Sequence, residues 1–274
     1  MITFAEFLSD RGIVAPHPTT GPGWVSVRTI DHPRKKNGRY KFWGDVGWAM
    51  NWATMDRTER WYAKAESERD PQMQERIRLA EIADAQERRE NARQAAQEAL
   101  GHVKAAHIYS HPYFDSKGLP TARGLVLDEF LLVPMSINGK LAGVQRIYED
   151  GGWQKRFTRG MRTKDACLQV GRGSEIIWVE GYATALSIAE ILGVSASRHS
   201  IVVTFSAHNL THMARTAGVG KVFADNDKSG TGQKAAEATG LPWTMSPEVG
   251  EDANDWHRRD PGGLMRALFE LGRR

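Results

Sequence analysis

Asp225 and Asp227 stand one residue apart where the apolar run 221–224 gives way to the turn "DNDKSG", and the alanine-rich stretch "TGQKAAEATG" follows. As turn chemistry the string explains itself, because Asn and Asp bond their own backbone and Gly permits positive φ. As a site it explains more. Two carboxylates held close repel unless a cation joins them, and oxygen ligands of this hardness suit magnesium. A third carboxylate, Glu180, ends the apolar run "EIIWVE" and is followed by Gly-Tyr and a helix-forming segment.

The elements that must bring these acids together are legible from the pattern. From Glu175 onward strands and helices alternate: "EIIWVE", "ATALSIAEILG", "IVVTFSA", "LTHMARTAG", "KVFA", "TGQKAAEATG", then "LPWTM" and a final helix over about 255–271. Such alternation predicts a parallel sheet with helices on both faces. Ligand sites in open sheets of this kind lie outside the carboxyl ends of the strands. Glu180, Asp225 and Asp227 would all sit at that edge.

Upstream the chain changes character. Segments 124–134, 140–148 and 154–157 read as strands of an antiparallel, β-rich part. Residues 56–106 contain no Gly before Gly101 and one proline, Pro71, which with Asp70 fits an N-cap and first helical position. A long helix is expected there, with a thin apolar stripe of Ile77, Ile82 and alanines. Its exposed length would be solvated, a linker or a partner surface. Residues 1–55 hold strand-like pieces "WVSVRTI", "RYKFWGD" and "GWAMNWAT" joined by turn signals, a small β-ribbon module. The expected division is therefore 1–55, 56–106, 107–172 and 173–274, an α/β chain that is α+β overall.

Composition narrows the function. The content, 41% hydrophobic and 26% charged, is that of an ordinary soluble protein. No apolar run approaches the ~20 residues of a membrane span, and "MITFAEFLSDRG" has acids where a signal peptide would be basic; a cytoplasmic location without membrane contact is expected. Cys167 is the only cysteine, so an internal disulfide and a multi-cysteine zinc site are excluded. His17 and His32 are too few for a closed zinc site in the N-terminal module. "GVGK" at 218–221 precedes a strand rather than a helix, so it is no phosphate loop. With 37 basic against 33 acidic residues the chain permits a nucleic-acid partner. Trp24, Trp43, Trp48 and Trp52 either stack on bases or build the module's core.

"VEGYATALSIAE" with "FADNDKSGTGQKAA" resembles the two signature motifs of the Toprim domain, shared by DnaG-like primases, topoisomerases and certain nucleases. "FLLVPMSINGKLAGVQRIYEDGGWQKRF" is similar to the strand-rich subdomain preceding Toprim in bacterial, plasmid and phage primases. "GEDANDWHR" resembles the downstream acidic motif of the phage and plasmid branch. "GRYKFWGDVGWAMNW" resembles more weakly the zinc-ribbon start of those proteins. The resemblance implies a Rossmann-like Toprim sheet and a primase-type nucleotidyltransferase making short RNA primers on single-stranded DNA. It implies that Glu180 is a general acid/base and metal ligand, and that Asp225 and Asp227 hold Mg2+ or Mn2+. Asp252 would be the third acidic position, and Asn254 stands where the next acid of the motif would be, with Asp255 beside it. Arg146 and Lys155 would face template or nucleotide, and Lys228 and Lys234 could bind phosphates. Implied partners are nucleoside triphosphates and a helicase or other replication protein. A Toprim nuclease and a non-catalytic nucleic-acid-binding or inhibitory accessory protein remain the alternative readings.

Overall fold

The computed structural model describes residues 2–55, 58–193 and 198–273. The chain divides into two units, Met1–Glu90 and Asn91–Arg274.

The first unit opens with helix α1 (Phe4–Ser9), capped reciprocally by Thr3 and Glu6. A four-stranded antiparallel sheet follows in the order β1 (Gly21–Val27), β2 (Gly38–Phe42), β3 (Val46–Asn51), β4 (Glu59–Tyr62). Every residue of β3 is buried, so both faces of the sheet are covered. Phe4, Phe7 and Leu8 of α1 pack with Ile13, Tyr40 and Ala49 on one face. A Cβ at Gly47 would lie 2.4 Å from the Phe4 ring, and this is why the strand carries no side chain there. The other face receives the start of helix α2 (Pro71–Ala105), whose Met73, Ile77 and Ala80 cover Val46 and Trp48.

Two expectations for this region change. Ile77 and the alanine Ala80 lie on the buried stripe of α2 as expected, but Met73 completes it in place of Ile82, which is 40% exposed. The module is a covered two-face sheet rather than a bare ribbon. Trp48 is core, Trp24 and Trp43 pack against it, and Trp52 stands 55% exposed. The ring of Phe4 lies 4.5 Å from Phe42 and 5.4 Å from Trp61. Beneath α2, Lys41 is fully enclosed and donates to Asp84 at 3.3 Å and Glu87 at 2.6 Å. Because aromatic burial supplies the stability, elemental analysis of protein purified without chelator is expected to find no stoichiometric zinc, and chelator should leave thermal unfolding unchanged. One zinc per chain, lost with the fold on chelation, would overturn this.

The second unit holds two five-stranded sheets. The first is wholly antiparallel, in the order β5 (His107–Tyr109), β6 (Gly124–Leu127), β7 (Phe130–Ile137), β8 (Lys140–Glu149), β9 (Trp153–Phe157). The expected strand 124–134 is two strands, because Asp128 adopts φ 52 and turns the chain after Leu127. Asn138 and Gly139, at φ 50 and 74, form the tight turn between β7 and β8. One face of this sheet (Leu131, Val133, Ile147) packs on Tyr113 and Phe114 of α3 (Pro112–Ser116). The opposite face (Leu132, Val144) packs on Ala99 of α2.

The second sheet has the order β10 (Leu168–Val170), β12 (His199–Val203), β11 (Glu175–Val179), β13 (Lys221–Ala224), β14 (Trp243–Met245). Only the β10 pairing is antiparallel. Side chains alternate across it. Ile177, Val179, Ile201, Val203 and Phe223 meet α4 (Tyr182–Leu192), α7 (Ala253–Arg259) and α8 (Pro261–Arg273). Trp178, Val202, Val222 and Ala224 meet α5 (Ala207–Ala217) and α6 (Thr231–Glu237). This is the expected parallel sheet covered on both faces. The single final helix expected over 255–271 is two helices, because Pro261 disfavours helical backbone at Asp260, which sits at φ −147, ψ 81. Among the described residues no helix is long and apolar enough to cross a membrane.

Candidate active site

The chain runs from β11 to β12 on one side of β11 and then crosses to β13 on its other side. Strand order therefore reverses at the carboxyl ends of β11 and β13, where a crevice opens in sheets of this type. Glu180 follows β11 and Asp225 follows β13, so sequence-distant carboxylates come to one edge of the sheet.

Their electrostatics record the convergence. Asp225 is pushed up to about 7, first by burial and then by the charges of Asp252 and Glu180, with Lys155 opposing. Its Oδ1 is buried without any hydrogen-bond partner. Glu180 is raised by burial and by Asp227, again against Lys155. Asp227 behaves differently. Its carboxylate accepts from the backbone N–H of Ser229 at 2.9 Å, Thr231 at 3.3 Å and Gly232 at 2.8 Å, and from the Ser229 hydroxyl. Burial would lift its pKa, but these donors hold it at about 2. The loop itself thus meets the charge of Asp227, which the sequence left to metal and substrate, while Asp225 keeps an unmet oxygen. Helix α6 backs closely onto this turn: a Cβ at Gly232 would lie 2.1 Å from the Asp225 carbonyl oxygen.

Asp252 is the N-cap of α7, accepting from Asp255 N–H at 2.9 Å while Asp255 reaches back to Asp252 N–H at 3.5 Å. Asn254, fully buried, donates to the Lys117 carbonyl at 2.7 Å and to Ser187 Oγ at 2.9 Å. It fastens the end of α3 to α7 and lies inside the packing rather than among the acids. Lys155 projects from β9 toward the site with its Nζ 6.0 Å from the Tyr113 ring centroid. Desolvation lowers its pKa and Lys117 repels it, while Asp252, Asp225 and Glu180 pull it back up. Lys117 is a site residue that the sequence reading missed; its one signal is the "SKG" helix end. Tyr113, completely buried, was missed too. Its hydroxyl lacks a partner, and its pKa is raised by burial and then by Asp252.

Arg146 is not brought to this cluster. It pairs across the hairpin with Arg156, while Lys155 pairs with Ile147, so Arg146 and Lys155 leave opposite faces of the sheet. Arg146 instead bonds Glu98 on α2 at 3.0 Å. Lys228 and Lys234 are exposed on the β13–α6 turn and on α6. Lys155→Ala is accordingly expected to flatten the log–log salt dependence of single-stranded DNA or nucleotide binding by about one unit. Arg146→Ala should leave the slope unchanged. Equal slopes for Lys155→Ala and the parent protein would remove Lys155 from the site.

Among the described residues no three His, Cys, Asp or Glu side chains stand close enough to cage an ion by themselves. The donors still suit magnesium, which binds through one or two carboxylates plus substrate phosphates and keeps several waters. The unmet Asp225 Oδ1, beside Glu180 and Asp252, is the oxygen such an ion would engage.

Residues 175–261 match the family described as Toprim domain. Across more of its length the chain is similar to DNA primase TraC of Escherichia coli, 28% identical over 236 residues that cover 77% of this chain and 21% of TraC. It thus spans about a fifth of that relative. A crystal structure of a DNA primase domain from Pseudomonas aeruginosa is a looser likeness, with TM-score 0.36 and 14% identity over 64% of this chain and 58% of that one.

Proposed function

We propose that this chain is a DNA primase-like nucleotidyltransferase that joins nucleoside triphosphates into short RNA primers on single-stranded DNA. The observation carrying the proposal is the carboxylate cluster at the β11/β13 reversal with Lys155 and Lys117 beside it. The Toprim match and the similarity to TraC support the primase-like class.

In the proposed step a 3′-hydroxyl oxygen attacks the α-phosphorus of the triphosphate, forming the phosphodiester bond as the bond to pyrophosphate breaks. Glu180, its proton affinity raised by burial, accepts the hydroxyl proton. Lys155 and Lys117 draw the phosphates against the acidic edge. Helix α4 begins at Gly181 without a side-chain cap, leaving backbone N–H groups suited to a phosphate oxygen. Asp225 and Glu180, with Asp252 nearby, would hold magnesium, which when bound lowers the charge cost at the attacking and leaving oxygens. Asp227 acts by fixing the β13–α6 turn.

Incubation with single-stranded DNA, labelled nucleoside triphosphates and magnesium should yield short RNA. Cut DNA without RNA would assign the same acids to a nuclease, and neither product would leave the accessory-protein reading.

A further inference from the structure

Phe205, the residue after Thr204 at the end of β12, has φ 66, a backbone region that bulky side chains seldom enter. The conformation is held from several sides. Thr204 N–H donates to the Val179 carbonyl at 2.9 Å, and Phe205 N–H donates to the Glu180 carbonyl at 3.0 Å. Thr204 Oγ1 bonds Val179 at 2.9 Å, and Ser206 caps α5 through Asn209 N–H at 3.2 Å. A sharp strand-to-helix turn of this form lifts its central side chain over the carboxyl edge of the sheet. Glycine would occupy such a turn without strain. The phenyl ring packs in part against the cores of both sheets of this unit and stays only half-buried, so some of its surface is left over.

The ring has a partner. Phe157 of β9 meets Phe205 edge to face, with centroids 6.1 Å apart and planes at 89°. Phe157 is 38% exposed. Trp153, Lys155 and Phe157 alternate onto one face of β9, and Trp153 in turn stands edge to face on Tyr113 at 5.2 Å. Lys155, which the site uses, therefore lies in a row between two aromatic side chains. That arrangement, cation flanked by rings at the rim of a nucleotidyl-transfer site, fits a backbone phosphate with its base laid alongside.

We propose that Phe157 and Phe205 form an L-shaped shelf beside the Glu180–Asp225 cluster, one ring giving a nucleobase its face and the perpendicular ring bounding it, so that the reacting strand or nucleotide is positioned. The inference rests on the proposed primase-like function and assigns the base-binding part of that site. The shared chemistry is a nucleobase, supplied either by single-stranded DNA or by the incoming triphosphate.

The test uses the full chain and three probes: a dT oligonucleotide, the same oligonucleotide made abasic, and ATP. Phe157→Leu and Phe205→Leu keep an apolar side chain while removing the aromatic face, and Phe205→Trp restores one. Phe157 is the variant least exposed to folding problems, being already partly in solvent. If the base comes from DNA, both Leu variants should lose about tenfold in affinity for the dT oligonucleotide and nothing for the abasic one. If it comes from the triphosphate, the loss should fall on ATP instead. Phe205→Trp should bind as the parent does. Equal losses on intact and abasic strands, or no loss on any probe, would overturn the shelf while the primase-like reading stands. A parent protein that binds none of the three probes would overturn both.

Discussion

Glu180→Gln is expected to lower phosphodiester formation by about 10²–10⁴-fold, the range that a positioned general base contributes. Glutamine keeps the shape and the hydrogen-bonding reach but cannot take the 3′-hydroxyl proton. The side chain is partly buried, with its pKa raised by burial and by Asp227, so removing its charge relieves repulsion rather than breaking a pair. The variant should therefore unfold no lower than the parent, and binding of single-stranded DNA should stay near the parent's. Single-turnover synthesis at saturating nucleotide separates the chemical step from binding. Near-parental turnover by Glu180→Gln would end the assignment of Glu180 as base.

Asp225→Asn should make the folded chain more stable while removing activity. The pKa of Asp225 is raised from an ordinary 3.8 to about 7. A carboxyl whose folded value is raised contributes stability below its unfolded pKa, and that contribution is lost as pH rises through the folded one. Parent and variant should thus unfold alike near pH 4. The variant should pull ahead through pH 5 and 6 and reach a constant advantage above pH 7. Three units at about 1.36 kcal/mol each put the ceiling near 4 kcal/mol. These scans are made with chelator present. Adding magnesium at pH 8 should narrow the gap, since an ion bound only by the folded parent stabilises it by mass action. A variant no more stable than the parent at pH 8, or an advantage independent of pH, would contradict the burial and crowding of Asp225.

Much of this site could be read from residue order because βα alternation leaves little freedom. Once "EIIWVE" and "KVFA" are parallel strands, Glu180 and Asp225 must emerge on one edge. What stayed hidden depended on pairing register and on three-dimensional neighbours. The opposite faces of Arg146 and Lys155 follow from the β8–β9 register, which the local sequence does not specify. The donors around Asp227 were legible as turn chemistry, yet spacing could not tell that they would satisfy it. Lys117 and Tyr113 stand near the acids because α3 packs on the antiparallel sheet and is tied to α7 through Asn254. The left-handed backbone of Phe205 has no composition signal at all, unlike the Asn138-Gly139 turn. The break before Pro261 has a local signal, since Asp260-Pro261 is followed by Gly262-Gly263 and no apolar residue stands between Trp256 and Leu264.

The enclosed ammonium of Lys41 bears on how such a protein could be pieced together. Its countercharges, Asp84 and Glu87, come from a helix that begins at Pro71, well after the last strand of the sheet they serve. Removing the partners of a buried charge costs about 3–5 kcal/mol, comparable to the whole stability of many small domains. Recombination that cut between β4 and α2 would carry off the sheet without its neutralising acids, and without Met73, Ile77 and Ala80 over Trp48. The portable unit of inheritance therefore extends into the helix, at least through Glu87, and a shuffled gene retaining less would encode a sheet with an unanswered charge in its core.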